Sequence, residues 1–91
     1  MTIRVEFFGL ARLRAATAAC DCACPSSGRS LADLLQELGG RFPAFAAETL
    51  SAGELRPEFI ANRNSNEFLR DPQAIIHAGD TLLILSTDAG G

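Results

Sequence analysis

Apolar and polar residues alternate from the start of the chain. In Ile3-Arg4-Val5-Glu6-Phe7-Phe8, Ile3, Val5 and Phe7 point to one side and Arg4, Glu6 and Phe8 to the other. This predicts a strand with one buried face, ended by Gly9. Phe8 is the odd member, an apolar residue on the polar side. Residues 10–18 read as a connection anchored by Leu10 and Leu13. A second short strand is expected over 18–24, with Cys20, Cys22 and Cys24 on one face and Asp21 on the other, stopped by Pro25-Ser26-Ser27-Gly28.

The period then changes. Leu31, Leu34, Leu35 and Leu38 fall at i, i+3, i+4 and i+7, the stripe of an amphipathic helix. Ser30 stands at its N-cap with Asp33 three residues on, and Gly39-Gly40 supplies the backbone that ends it. Phe42 and Phe45 flank Pro43 in a stretch with room for a short helical turn around 44–50, followed by a loop. Phe59-Ile60-Ala61 reads as a third strand between Pro57 and Asn62-Arg63-Asn64. Phe68-Leu69 forms a brief edge segment, Ala78-Gly79-Asp80 a turn, and Thr81-Leu82-Leu83-Ile84-Leu85-Ser86 the strongest strand. Two strands, a helix and further strands describe an α+β domain, a mixed sheet with the leucine face of the helix across it.

Ninety-one residues make one domain, and 47% hydrophobic with 21% charged residues fits a folded, soluble chain. No apolar run approaches a bilayer span, and the charges in Met1-Thr2-Ile3-Arg4-Val5-Glu6 occupy the place of a signal peptide's apolar stretch, so the expected compartment is the cytoplasm and no membrane partner is expected. A net charge of −3 with singly spread basic residues excludes a nucleic-acid stripe. All eight basic residues are arginine. Genome composition explains that simply. A functional reading also stands: a chain with an activated acyl terminus gains from carrying no side-chain amine.

Few residues carry candidate chemistry. The spacing of Cys20, Cys22 and Cys24 is not a zinc pattern and no histidine cluster completes it, so the three read as core filling and no metal is expected. His77, the single histidine, belongs to a surface turn. Asp80 is expected to shape that turn through its side chain, and Asn62 to do similar work after the third strand. With Leu82 and Ile84 facing the helix, Leu83 and Leu85 face outward. The domain then spans 1–86, and 87–91 form a tail, Thr87-Asp88-Ala89-Gly90-Gly91, that reaches roughly 16–18 Å when extended. Paired glycines enter narrow channels readily, and the Gly91 carboxylate is the only chemical group at the tip.

The opening strand, the helix after Pro25, Phe59-Ile60-Ala61-Asn62 and above all Ala78-Gly79-Asp80-Thr81-Leu82-Leu83-Ile84-Leu85 with Ala89-Gly90-Gly91 resemble the MoaD/ThiS family of ubiquitin-like sulfur carriers. The resemblance covers essentially the whole chain. It implies a ubiquitin-like β-grasp fold and a carrier without catalytic residues or a bound cofactor. An E1-like partner enzyme would use ATP to adenylate Gly91, which then becomes a thiocarboxylate; Gly90 would give access, and Phe8 and Leu85 match docking positions. Length favours the MoaD branch, whose partner is the large subunit of molybdopterin synthase, and related carriers feed thiamin or cysteine pathways. The chain departs from the family in Ser86-Thr87, where prolines are usual, in Asp88, and in Ala61, where valine is common. Two other classes stand beside this one: a modifier conjugated to lysines of other proteins, and an interaction domain with an inert tail.

Overall fold

A computed structural model describes residues 1–87. The expected α+β architecture is present: a five-stranded mixed sheet with helices packed on one face. The first strand, β1 (Thr2–Phe7), runs antiparallel to β2 (Ala19–Ala23), pairing Ile3 with Cys22 and Val5 with Cys20. On its other side β1 lies parallel to the last strand, β9 (Thr81–Ser86), with Val5 opposite Leu82 and Phe7 opposite Ile84. Strand β6 (Phe59–Arg63) runs antiparallel to β9, and the short edge strand β7 (Glu67–Leu69) closes the order β2-β1-β9-β6-β7. The chain's last strand is thus the middle of its sheet.

The alternation read in β1 is the alternation observed. Ile3, Val5 and Phe7 are buried with Leu82, Ile84, Phe59 and Ala61 on one face of the sheet. Helix α2 (Leu31–Arg41) lays Leu31, Leu34, Leu35 and Leu38 across that face, all 2% exposed or less. Ser30 caps it, its Oγ accepting the Asp33 N–H at 3.0 Å.

The helix does not stop at Gly39-Gly40, as the glycine pair predicts, but runs to Arg41. Two features hold its last turn. Arg41 bridges Glu37 one turn back, at 3.1 Å, and donates to the Asp21 carbonyl of β2 at 2.9 Å. Gly39 is there for packing: a Cβ would stand 3.3 Å from Leu50 Cδ1 and 3.6 Å from Ala46 Cβ. The glycine lets the following helix come close instead of ending this one. At Gly28, with φ of +83°, a Cβ would fall 2.8 Å from the Ile76 carbonyl, so the turn after β2 admits only glycine.

Two segments differ from the sequence reading. Residues 10–18, expected as a bare connection, contain α1 (Leu10–Ala15), which buries Ala11 and Ala15, one turn apart. No side chain caps it, and an alanine pair is a faint periodic signal; α1 is set by its packing on the third helix and on β9. That helix, α3 (Pro43–Thr49), extends the expected turn to two turns, with Pro43 in its first turn. It drives Phe45 into the core, where Phe7 meets Phe45 and Phe42 edge-on at 5.3 and 5.6 Å. Two pairings of two-residue strands complete the fold: β4 (Leu50–Ser51) with β5 (Glu54–Leu55), and β3 (Arg29–Ser30) with β8 (Ile75–Ile76).

The arginines do work that lysine could not. Arg29 joins Asp33, Glu37 and the Ala23 carbonyl with one guanidinium, tying the start of α2 to β2. Arg63 joins Glu67 and the Ile75 carbonyl. A planar fork with five donors makes such multiple bridges; an ammonium does not span them.

Leu34 is fully buried between helix and sheet, so Leu34→Ala should destabilise the protein by about 2–5 kcal/mol, measured by urea denaturation with an unchanged slope.

Candidate functional site

The site begins where the sheet delivers the end of the chain. Beyond Ser86, the Thr87 N–H donates to the Glu58 carbonyl at 2.8 Å, which anchors the root of the tail beside the start of β6. Gly90 and Gly91, the residues expected to carry the chemistry and the access, lie outside the described residues, as does Asp88.

Next to this root is the outer face of the sheet. By alternation it carries Phe8, Leu83, Leu85, Ile60, Asn62 and Phe68. Phe8 continues β1, its N–H donating to the Ile84 carbonyl at 3.0 Å, and is 52% exposed. Leu85 shares this face but is only 9% exposed, beside its register partner Ile60. Phe68, expected only as part of an edge segment, is 65% exposed. Ile60, Phe68, Leu85, Ser86 and Thr87 line one shallow groove. The two positions expected to dock are therefore unlike: Phe8 offers a ring to solvent, whereas Leu85 forms the floor of a groove whose accessible wall is Phe68. The pairing of Asn62 with Phe68 could have revealed that residue in the sequence, had the β6–β7 register been known.

Asn62 corrects an expectation. The turn-shaping work is done by Asn64, whose Nδ2 donates to Asp80 Oδ1 at 3.0 Å and whose Oδ1 accepts the Thr81 N–H at 2.8 Å. Asn62 lies inside β6, 8% exposed between Leu83 and Phe68, and its Oδ1 is buried without a hydrogen-bond partner. Leaving such an oxygen unpaired costs about 1–3 kcal/mol. Asp80 does shape its turn: its Oδ2 accepts the His77 N–H at 3.0 Å, the His77 carbonyl accepts the Asp80 N–H at 3.0 Å, and His77 itself is exposed.

The cysteines belong to the fold. Cys22 and Cys24 are buried, and Cys20 is half-buried against the core. Burial, then the neighbouring Cys20 and Glu37, push the Cys22 thiol up to about 12, and burial also raises Cys20. Cys24 Sγ lies 3.8 Å from the Ile76 carbonyl. Raised thiols have little thiolate to act as nucleophile. Among the described residues no group of three or more His, Cys, Asp or Glu could hold a metal ion, and no helix is long and apolar enough to cross a membrane.

Solved structures share this architecture over nearly the whole chain. SAMP1 from Haloferax volcanii superposes with a TM-score of 0.82 at 22% identity, covering 100% of both chains. A putative molybdopterin converting factor, subunit 1, from Pyrococcus furiosus gives 0.75 at 16% identity, over 94% of this chain and 97% of that one. A structure of the Amycolatopsis orientalis BexX/CysO complex gives 0.72 at 21% identity, over 98% and 99%. No protein-family profile and no curated protein matches the sequence. The likeness to these structures is one of fold, and the fold is the ubiquitin-like β-grasp that the sequence resemblance implied.

Two carboxylates set an acid limit. Hydrogen bonds from Arg29, then Arg41, outweigh burial and hold Glu37 below its ordinary value of 4.5. Burial alone would raise Asp80, but the His77 N–H, the Asn64 amide and Arg63 outweigh it and hold the group below 3.8. A depressed folded pKa contributes stability that is complete above the unfolded value and is lost as pH falls through the folded one. The urea midpoint should therefore hold steady above about pH 5 and fall progressively below about pH 4, with a shallower fall in Glu37→Gln. For the thiols, iodoacetamide at neutral pH should leave Cys22 and Cys24 unlabelled in native protein and label all three after unfolding, read by intact mass.

Proposed function

We propose that this chain is a ubiquitin-like sulfur carrier whose terminal Gly91 is adenylated and converted to a thiocarboxylate. The observation that carries the reading is the position of β9: the central strand of a β-grasp sheet leads, through an anchored Thr87, straight into Gly90-Gly91. In this reaction the Gly91 carboxylate attacks the α-phosphate of ATP on an E1-like enzyme and releases pyrophosphate. The sulfane sulfur of a cysteine persulfide displaces AMP from the acyl carbon. A thiol then attacks the cysteine sulfur of this acyl disulfide and forms a disulfide with that cysteine, and the thiocarboxylate leaves with the electron pair of the broken S–S bond.

This chain's own residues position and deliver. Gly90, without a Cβ, lets the tip enter a narrow channel, while Phe8, Phe68 and the groove floored by Leu85 offer apolar docking area. The carrier holds no bound cofactor; ATP enters with the partner. The acceptor we favour is the large subunit of a molybdopterin synthase in the cytoplasm, with this chain as the small subunit. That choice leans on the sequence resemblance and on the fold shared with the Pyrococcus furiosus converting-factor subunit. Carriage to a thiamin or cysteine pathway uses the same tail. A second reading, a modifier joined to lysines, draws on the likeness to small archaeal modifier protein 1.

Incubation with the organism's E1-like enzyme, ATP and a persulfide source should raise the intact mass by about 16 Da, and deletion of Gly91 should abolish the gain. No gain, with an enzyme competent on a known carrier, refutes the carrier reading. Gly-Gly remnants on lysines of cellular proteins, without a thiocarboxylate, would establish the modifier instead.

A further inference from the structure

The outer face of the sheet has a feature that packing within the chain does not explain. Asn62 sits between Leu83 on β9 and Phe68 on β7, with Ile60 two residues before it on the same strand face. All three neighbours are apolar, and the Asn62 Oδ1 is buried with no partner. If folding alone chose the residue, leucine would serve better here, because it leaves no acceptor unpaired. The amide lies on a sheet face that no other element covers among the described residues, and its acceptor is unmet within the chain.

The geometry points to Asn62 as the specificity-determining contact of this face, its amide oxygen accepting a hydrogen bond from a neutral N–H or O–H group of the adenylating enzyme. This rests on the carrier reading. Three observations select that occupant and that chemistry. The groove of Ile60, Phe68 and Leu85 continues into Ser86 and Thr87, so an enzyme holding the tip of the tail lies next to this face. Exposed Phe68 stands opposite the amide on β7 and Leu83 on its other side, and apolar neighbours that exclude water strengthen a hydrogen bond made between them. The centre is also uncharged. Arg4 and Glu6, the charged pair on this face of β1, bind each other at 2.8 Å, so a cationic donor would lose its hydration without meeting a carboxylate. In the free chain Oδ1 is covered. A half-turn of the amide about its terminal bond exchanges two groups of equal size and brings the oxygen outward.

The test compares wild-type, Asn62→Leu and Asn62→Asp in thermal unfolding of the free carrier and in titration of the organism's adenylating enzyme, by calorimetry and by adenylation kinetics. Asn62→Leu should raise Tm by a few degrees and weaken Kd and KM about tenfold, with kcat unchanged. Asn62→Asp, which keeps an acceptor oxygen and loses the amide donor, should stay within about threefold of wild-type Kd. An Asn62→Leu carrier that binds as well as wild-type overturns the proposal, whatever its Tm. Equal losses in both variants would mean that the amide is read through its nitrogen, which overturns the acceptor role. If Asn62→Leu fails to fold, Asn62→Asp decides alone: a loss of tenfold or more refutes it. Wild-type that binds but is never adenylated sinks the carrier reading and leaves the contact standing; wild-type that does not bind sinks both.

Discussion

Every layer of this protein depends on the insertion of β9 between β1 and β6. The first and last strands lie side by side in parallel, so nearly the whole chain must close as a loop before that ladder forms. Without it, the β1–β2 and β6–β7 pairs are separate ribbons, each too small to hold a core. Leu82 and Ile84 repay the closure by filling the space beneath α2, where Val5, Phe7 and Ala61 meet them in register. The same ladder fixes where the tail emerges. Its root is held by the core and by Glu58.

One sheet then serves two purposes because side chains alternate. On β9, Leu82 and Ile84 hold the domain together while Leu83 and Leu85 build the outer face. On β6, Ala61 is closed in the core while its neighbour Asn62 is spent among apolar residues on the other side. The inner face is resolved: helix stripe, phenylalanine cluster and Ser30 cap all agree. The outer face is unresolved within the chain, with two exposed phenylalanine rings and an amide that finds no donor. Such local disagreement is where function is expected in a small domain whose other parts are consistent.

Polar groups elsewhere do the opposite and stiffen the frame. Asp80 gathers the His77 N–H and the Asn64 amide, and Asn64 returns a bond to Thr81, so the entry to β9 is tied to the exit from β6. Arg29 and Arg41 meet on Glu37 and hold both ends of α2 to β2. These bridges give the arginine-only composition a partial structural reason, since several of the forks contact two or three groups at once.

Local pattern was enough for the parts of this protein that repeat it. The β1 alternation, the leucine stripe with its serine cap, the strand over Thr81–Ser86 and the Ala78-Gly79-Asp80 turn were all legible, because period and turn chemistry are properties of neighbouring residues. The terminal Gly-Gly was equally plain as a candidate site. Tertiary packing decided what those signals do not contain. It made a helix of Leu10–Ala15 from an alanine pair, and carried α2 past two glycines, with Arg41 holding the last turn and Gly39 leaving space for Leu50 and Ala46. It also separated Asn62 from Asn64, two residues alike in the sequence, by giving one a turn to close and the other an apolar face without a donor. The register between distant strands sets such assignments, and register is fixed only when the whole core closes.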